Sequence, residues 1–554
     1  MTRASKILSG AAALFLALHI ANGIYFGGLL PNCARSYDEG MNSHTLQFRR
    51  LVSARPAYLP GYEIISGLIA RSIGKNWTAI YLANNTFHLA LLLIFSCLFG
   101  VLVRDFETGA LAALLLCLYP LAAGSYNRYC MDFALMGIVM AAVYFIFKSD
   151  FFARPGYTLL FFAIVAYGVL IKETILAFIA GPFFYALFLR LKDLWRRSPP
   201  AAFRFMAGLA AVVTILGVLA SLTVLRILLW DHLFWEAAGI PWYAPENLSF
   251  FWKGLWETQL TPLFTAVLAA GVYYFAKEAD ARLKILISLW ILLPNVILLF
   301  IPHGKTARYL LPQLPALAIV SSFALRKLLD SPAGRGALTL IFAGGLFQLY
   351  VFFYAPETLS ALSYKGFNYW KPEAYRLGES FDAENFRFKT ELPVKIGRAI
   401  TTDMQTRYAK DGKYTCSVTF FPDDWTLESY ILRSYLLLNS DLEMTETYKG
   451  VIIMAPAYSG NKLFNRYFRN LSPADIDYAV QLAPRGAPRP PLKENLPGWL
   501  RASYETACWS LGLKPEPQDW EKVRRVFAER LSTFRDVGRV SGGNYDAYIS
   551  AAPR

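Results

Sequence analysis

Charge is scarce in this chain. Of its 554 residues only 17% are Asp, Glu, Lys or Arg, where a water-soluble domain carries nearer a quarter. Chemical fingerprints are scarce as well. The C-terminal part holds neither a dinucleotide-binding nor a P-loop fingerprint, and the chain shows no nucleic-acid motif. No dense carboxylate or His/Cys cluster stands at metal-ligand spacing. No internal repeat marks the two matched halves of many transporters. Short segments of alternating polarity, the sign of an outer-membrane barrel, are also missing.

What is plentiful is apolar. Hydrophobic residues make up 55% of the chain and aromatics 16%, and runs of membrane-spanning length recur from Ile7 to Tyr354. Backbone amides in hydrocarbon must be satisfied within their own segment, so these runs read as helices. The first, Ile7 to Leu30, follows Arg3 and Lys6, which places the N-terminus in the cytoplasm. A cleavable signal peptide is the competing reading; a run of 24 residues without a clear small-x-small site argues for a retained anchor. Further spans fall near 79–103, 109–124, 133–147, 156–171, 174–189, 205–229, 261–276, 285–302, 309–325 and 336–354. The fold class is therefore a polytopic α-helical membrane protein of about eleven transmembrane helices.

The formal net charge of +15 follows this topology rather than nucleic acid. Loops expected in the cytoplasm carry Arg104, Lys148, Arg154, Arg190, Lys192, Arg196, Arg197, Arg204, Lys277, Arg282, Lys284, Arg326, Lys327 and Arg335. Short outer loops carry only one or two basic residues each, and the basic face suits anionic lipid head groups. Two outer loops are long. The first, about 31–78, is too long for a connector and holds an amphipathic stretch from Tyr62 to Ile73. The second, about 230–260, holds Trp230, Trp235, Trp242, Trp252 and Trp256; an interfacial aromatic belt and a lid over a lipid or sugar are both open readings.

After Tyr354 charges become frequent, and Pro-rich punctuation appears at Pro484 to Pro491. Gly450 to Met454 reads as a buried strand and Ser429 to Leu438 as an amphipathic helix. We expect residues 1–354 to form the membrane domain and 355–554 a soluble α/β domain on the outer side. Cys97 and Cys117 fall inside spans; Cys33, Cys130, Cys416 and Cys508 fall outside, where Cys416 with Cys508 could form a disulfide and free thiols are the alternative.

Charged groups at membrane depth or at span ends are expensive and so mark candidate chemistry. On the outer side these are Asp38, Glu39, Glu63, Arg128, Asp132, Lys172, Glu173, His303, Lys305 and Arg308. Carboxylates facing cations suit a reaction in which one carboxylate takes a proton and the cations hold a phosphate. Ordinary alternatives are a solvated turn for Asp38 and Glu39 and snorkelling for Lys172 and Arg308. His88, with Asn84 and Asn85 on an apolar helix, reads as an interhelical hydrogen bond.

Several segments carry a resemblance. Tyr37-Asp38-Glu39-Gly40 is followed by Pro56-Ala57-Tyr58-Leu59-Pro60-Gly61-Tyr62-Glu63. This resembles the first outer loop of GT-C superfamily glycosyltransferases. Gly168-Val169-Leu170-Ile171-Lys172-Glu173 and Arg308-Tyr309-Leu310-Leu311-Pro312-Gln313-Leu314-Pro315-Ala316 resemble segments of the protein O-mannosyltransferase and lipid A aminoarabinose transferase branch. The usual Pro-Pro-Leu-like segment stands here as Tyr58-Leu59-Pro60-Gly61.

The resemblance covers about 1–354 and implies a polyprenyl-phosphate-linked sugar donor and inversion at the anomeric carbon. The acceptor would be a glycan, lipid or protein on the outer face. It implies Asp38 as general base and Glu39 as the group that orients it. Lys172 and Arg308, with Arg128 and Lys305 behind them, would hold the donor phosphate. Glu63, Tyr58 and His303 would position acceptor or substrate. A divalent cation is left open. The setting expected is a bacterial inner membrane with a periplasmic C-terminal domain. Two other classes stand beside this one: a multi-pass transporter or lipid flippase, for which Pro294-Asn295 inside a span is the best feature, and a non-catalytic scaffold.

Overall fold

The computed structural model describes residues 2–28, 61–74, 76–127, 129–221, 254–299, 307–354, 383–408, 418–421, 478–484, 486, 529, 532–542 and 545–551. They divide into two compact units. The first comprises Met1–Tyr25, Gln47–Gly74 and Ala79–Glu379; the second comprises Phe26–Leu46, Lys75–Thr78 and Ser380–Arg554.

Helices follow the apolar runs. They are α1 (Arg3–Gly28), α2 (Gly61–Ile73), α3 (Trp77–Val103), α4 (Phe106–Leu118), α5 (Pro120–Tyr126), α6 (Met131–Lys148) and α7 (Pro155–Ile171). Then come α8 (Ile175–Arg197), α9 (Pro199–Ser221), α10 (Thr261–Glu278), α11 (Ala281–Leu299), α12 (Leu314–Leu328) and α13 (Pro332–Tyr354). Among the described residues six helices are long and apolar enough to cross a membrane, or seven if the bent α4–α5 pair is one span. The sequence led us to expect about eleven over the whole chain, and parts of the expected spans 205–229 and 285–302 lie outside the described residues. The run read as one span at 109–124 breaks at Tyr119–Pro120, where the helices meet at 67°, because proline cannot donate into the preceding turn. The run at 156–171 forms α7, which at 17 residues is shorter than a typical crossing.

Polar contacts fix which helix ends lie together. Arg104 after α3 pairs with Glu278 at 2.7 Å, and Lys327 of α12 reaches the same carboxylate at 2.9 Å. Arg326 pairs with Asp105, the N-cap of α4, at 2.7 Å. Thr2 and Ser5 both donate to Glu107 at 2.6 Å. The start of α1, the end of α3, the start of α4 and the ends of α10 and α12 therefore share one end of the bundle. Each half-exposed pair contributes little by itself, about 0–1 kcal/mol; together they define the basic end.

Close packing inside the bundle rests on small residues. A Cβ on Gly109 of α4 would lie 2.5 Å from Ser96 O and 2.7 Å from the Cα of Cys97 on α3. Only glycine lets those backbones approach so closely, a common device where lipid supplies no hydrophobic drive between helices. Hydrogen bonds add to it. The Asn295 amide of α11 donates to Ile291 O at 2.6 Å and to Gln313 Oε1 at 2.8 Å. Gln313 in turn donates to Gln259 at 3.2 Å. Asn295 thus ties the proline-containing turn at Pro294 to its neighbours, which gives Pro294-Asn295 a packing role.

The second unit is described in part. Helix α14 (Ala383–Tyr408) buries Leu392, Val394, Ile396 and Ile400. Four strands, β1 (Val418–Phe421), β2 (Tyr478–Pro484), β3 (Arg535–Gly542) and β4 (Tyr545–Ala551), form one sheet in the order β1-β2-β4-β3. β1 runs parallel to β2, and β2 and β3 both run antiparallel to β4. Asp403 of α14 accepts a hydrogen bond from Tyr478 at 2.8 Å and pairs with Arg535, so one buried-side carboxylate joins helix, β2 and β3. Gly450–Met454 and Ser429–Leu438, read as strand and helix, lie outside the described residues, as do Cys33, Cys416 and Cys508.

Candidate functional site

Opposite the basic end, three chain segments meet around one carboxylate. Asp132 stands in the first turn of α6, where the helix dipole favours a negative charge. Lys172 caps the C-terminus of α7, where the dipole favours a positive one. Because α6 and α7 run antiparallel through a short connection, those two ends come to the same level. Lys172 Nζ donates to Asp132 Oδ1 at 2.7 Å. Arg308 enters from the 3₁₀ turn Ala307–Gln313 ahead of α12, with its Nε 3.7 Å from Asp132 Oδ2. The ring of Tyr309 lies 4.9 Å from Lys172 Nζ and 5.6 Å from the Arg308 guanidinium carbon. Two cations thus share one carboxylate and one aromatic face.

Burial sharpens the electrostatics. Lys172 is 9% exposed and Asp132 4%. Burial alone would pull the lysine pKa down, but the facing Asp132 carboxylate more than offsets it and holds Lys172 above the usual lysine range. Lys172 is therefore charged at neutral pH. Arg308 is less enclosed, with 22% of its side chain exposed, and its fork is the more accessible of the two cations. Cys130, next to α6, is a buried free thiol; burial, then Asp132, push its pKa up to about 11. A thiol so placed stays protonated and is a poor nucleophile.

Of the four segments that carry the family resemblance, the described parts of three come together here: Gly61 to Glu63, Gly168 to Glu173 and Arg308 to Ala316. A Cβ on Gly61 would lie 2.8 Å from the backbone carbonyl of Leu170, so the start of α2 abuts the end of α7 directly, a contact only glycine permits. Tyr62 is fully buried beside it. Its hydroxyl donates to Asn85 Oδ1 at 2.6 Å, and its ring meets Tyr129 edge-on at 4.6 Å. Asn85 donates to Tyr126 O at 2.7 Å, and Asn84 donates to Ser66 at 2.8 Å. His88 shares hydrogen bonds with Asn84 O at 2.8 Å and the Tyr167 hydroxyl at 3.1 Å. Asn84 and Asn85 thus seat α2 on α3, and His88 ties α3 to α7.

Of the residues expected to carry function, the structure unites Lys172 and Arg308 through Asp132. Glu63 stands in the first turn of α2, on the segment that packs against Leu170. Asp38, Glu39, Tyr58, Arg128, His303 and Lys305 lie outside the described residues, as do Trp230, Trp235, Trp242 and Trp252. Trp256 falls in a short π-helical turn, Leu255–Gln259. Among the described residues no three His, Cys, Asp or Glu side chains gather into a metal-binding group. Sequence reasoning named Asp132 as a charged span end but missed its part as shared counter-ion, and it missed Tyr309. The adjacency of Tyr309 to Arg308 was the available signal.

No protein-family model and no curated protein matches the chain by sequence. Solved structures do match by shape. ArnT from Cupriavidus metallidurans in the apo state superposes with a TM-score of 0.55 at 13% identity, over 99% of both chains. The same protein bound to undecaprenyl phosphate gives 0.53 at 14% identity, over 99% of this chain and 100% of that one. Oligosaccharyltransferase AglB from Archaeoglobus fulgidus, in complex with an inhibitory peptide and a dolichol-phosphate, gives 0.43 at 12% identity over 97% of this chain and 74% of that one, too distant to bear on the fold. The described part of the chain has the fold of ArnT, which is itself a lipid A aminoarabinose transferase of the GT-C superfamily.

Proposed function

We propose that this protein is a glycosyltransferase that moves a sugar from a polyprenyl-phosphate donor to an acceptor on the outer face of the membrane. The observation that carries the reading is the Lys172–Asp132–Arg308 cluster at one end of a bundle with the fold of ArnT. That protein is known bound to undecaprenyl phosphate. A lipid phosphate has the charge and shape to take over from the Asp132 carboxylate as partner of both cations. Arg308 would offer two parallel donors and Lys172 a point charge.

In this reading residues 1–354 form the membrane domain, crossing about eleven times, and 355–554 an outer α/β domain. The N-terminus is cytoplasmic, and a bacterial inner membrane is the setting. The acceptor oxygen attacks the anomeric carbon from the face opposite the phosphate, and its proton passes to Asp38. The bond between the anomeric carbon and the phosphate oxygen breaks with its electron pair. The polyprenyl phosphate leaves with that charge, held by Lys172 and Arg308. Glu39 orients Asp38, while Glu63, Tyr58 and His303 place the acceptor; Arg128 and Lys305 add positive potential. Stabilising a leaving phosphate with fixed cations in a water-poor site is a large part of such catalysis.

The test is sugar transfer by the purified full chain from a panel of radiolabelled polyprenyl-phosphate sugars, with a membrane extract supplying acceptors. Transfer that collapses in Asp38→Asn at equal thermal stability supports the assignment. Absence of both transfer and donor binding in the native chain contradicts it and moves a transporter or flippase to the front.

A further inference from the structure

We infer that a groove between α8 and α9, at the basic end of the bundle, is a binding site for an anionic glycerophospholipid. α8 ends at Arg197, Ser198 takes an extended conformation, and α9 starts at once with Pro199. The amides of Ala201 and Ala202 return to Ser198 O at 2.9 and 3.2 Å, so the corner is tight. The helices part from this corner and leave a groove of about 410 Å³. Its apolar wall includes Phe188, Leu191, Trp195, Phe203 and Met206, and the Trp195 and Phe203 rings meet across it at 5.8 Å. Phe188 is 58% and Phe203 66% exposed, so these aromatics look out of the protein and into the bilayer.

An apolar groove in a membrane protein meets lipid in any case; the rim gives this one a preference. Lys192 and Arg196 stand one turn apart and continue the line of Phe188 along α8, so one face carries an aromatic wall topped by two cations. The carboxylate of this helix, Asp193, is already shared by Arg190 at 3.5 Å and Arg197 at 2.9 Å. Among the described residues no ion pair occupies Lys192 or Arg196. Two cations without a carboxylate, above a slot with about the bulk of one acyl chain, complement a lipid with a net negative head group. A zwitterionic head group would bring its own cation to the same place. Basic pockets between helices at a membrane surface favour anionic lipids for this reason. The inference rests on α8 spanning the membrane and is independent of glycosyl transfer.

The experiment is native mass spectrometry of the full chain in neutral detergent, titrated with phosphatidylglycerol or with phosphatidylcholine of matched chains. Phosphatidylglycerol is expected to bind about tenfold tighter than phosphatidylcholine. Lys192→Gln with Arg196→Gln should bring that ratio close to one, Lys192→Arg with Arg196→Lys should keep it, and Arg335→Gln, at the same end, should leave it unchanged. If the double variant does not fold, each single substitution is expected to lower the ratio about threefold. A ratio near one in the native chain, or a ratio that survives both neutral substitutions, overturns the inference. So does displacement of the lipid by inorganic phosphate at equal concentration, because the groove would then add nothing to the cations.

Discussion

Replacing Asp132 by asparagine keeps the size of the side chain and removes the charge that two cations share. Lys172 is 9% exposed and bonded to Asp132 at 2.7 Å, so its ammonium would be left in a site that water hardly reaches. Removing one partner of a buried pair costs about 3–5 kcal/mol, mainly through the stranded charge. Arg308, at 3.7 Å and 22% exposed, adds no more than about 1 kcal/mol, as for pairs in contact with solvent. The expected loss for Asp132→Asn is therefore about 3–5 kcal/mol, read from the midpoint of detergent-driven unfolding followed by circular dichroism. Lys172→Gln combined with Asp132→Asn should lose much less than the sum of the two single changes, with a coupling energy of about 2–3 kcal/mol. Additivity within about 0.5 kcal/mol would show that the two groups are independent and would refute the reasoning. A second readout links the pair to function: a polyprenyl phosphate should stabilise Asp132→Asn more than the native chain, because it replaces the missing anion.

Asp38→Asn should lower transfer by about two to four powers of ten while donor binding stays within twofold or so, measured as initial rate and as equilibrium retention of labelled donor. Arg308→Lys keeps the charge but loses the planar fork, so donor KM should rise while thermal stability is unchanged. Gly109→Leu would press a side chain against the α3 backbone at Ser96 and Cys97 and should cost about 1–3 kcal/mol or more, seen as a lower unfolding midpoint. The pH dependence at the basic end has a definite sign. Burial pushes the Asp105 carboxyl up, but the Thr108 hydroxyl, the Thr108 amide and Arg326 together bring it below the ordinary value. Its contribution is therefore complete above the ordinary carboxylate pKa and is lost as pH falls through the depressed one. Asp105→Asn should flatten that acid limb in unfolding titrations, and an unaltered limb would remove Asp105 from the account.

The helical runs were legible in the sequence because each must satisfy its backbone alone: α1, α3, α6 and α7 lie within a few residues of the apolar stretches that announced them. The break at Tyr119–Pro120 was less so, since hydropathy runs straight through it while proline sets the bend. Lys172 and Arg308 could be picked out as cations at span ends. That they share Asp132 could not, because Lys172 and Asp132 are 40 residues apart and only the antiparallel packing of α6 on α7 brings them level. The same holds for Asn295, whose place inside a span beside Pro294 was the best feature for a transporter; its partner Gln313 lies 18 residues away in a 3₁₀ turn. Gly61 and Leu170 read as members of separate motifs, and the lack of a side chain at Gly61 is what lets the motifs touch.

The most direct test is the affinity of the purified chain for a polyprenyl phosphate, compared between the native protein and Lys172→Gln with Arg308→Gln. Charge-assisted contacts to phosphate are worth about 1.5–3 kcal/mol each, so the double substitution should weaken binding by at least about a hundredfold, with the unfolding midpoint reported alongside to separate lost binding from lost fold. Equal affinity in the native and doubly substituted chains, both folded, would contradict the assignment of this cluster as the donor-phosphate site.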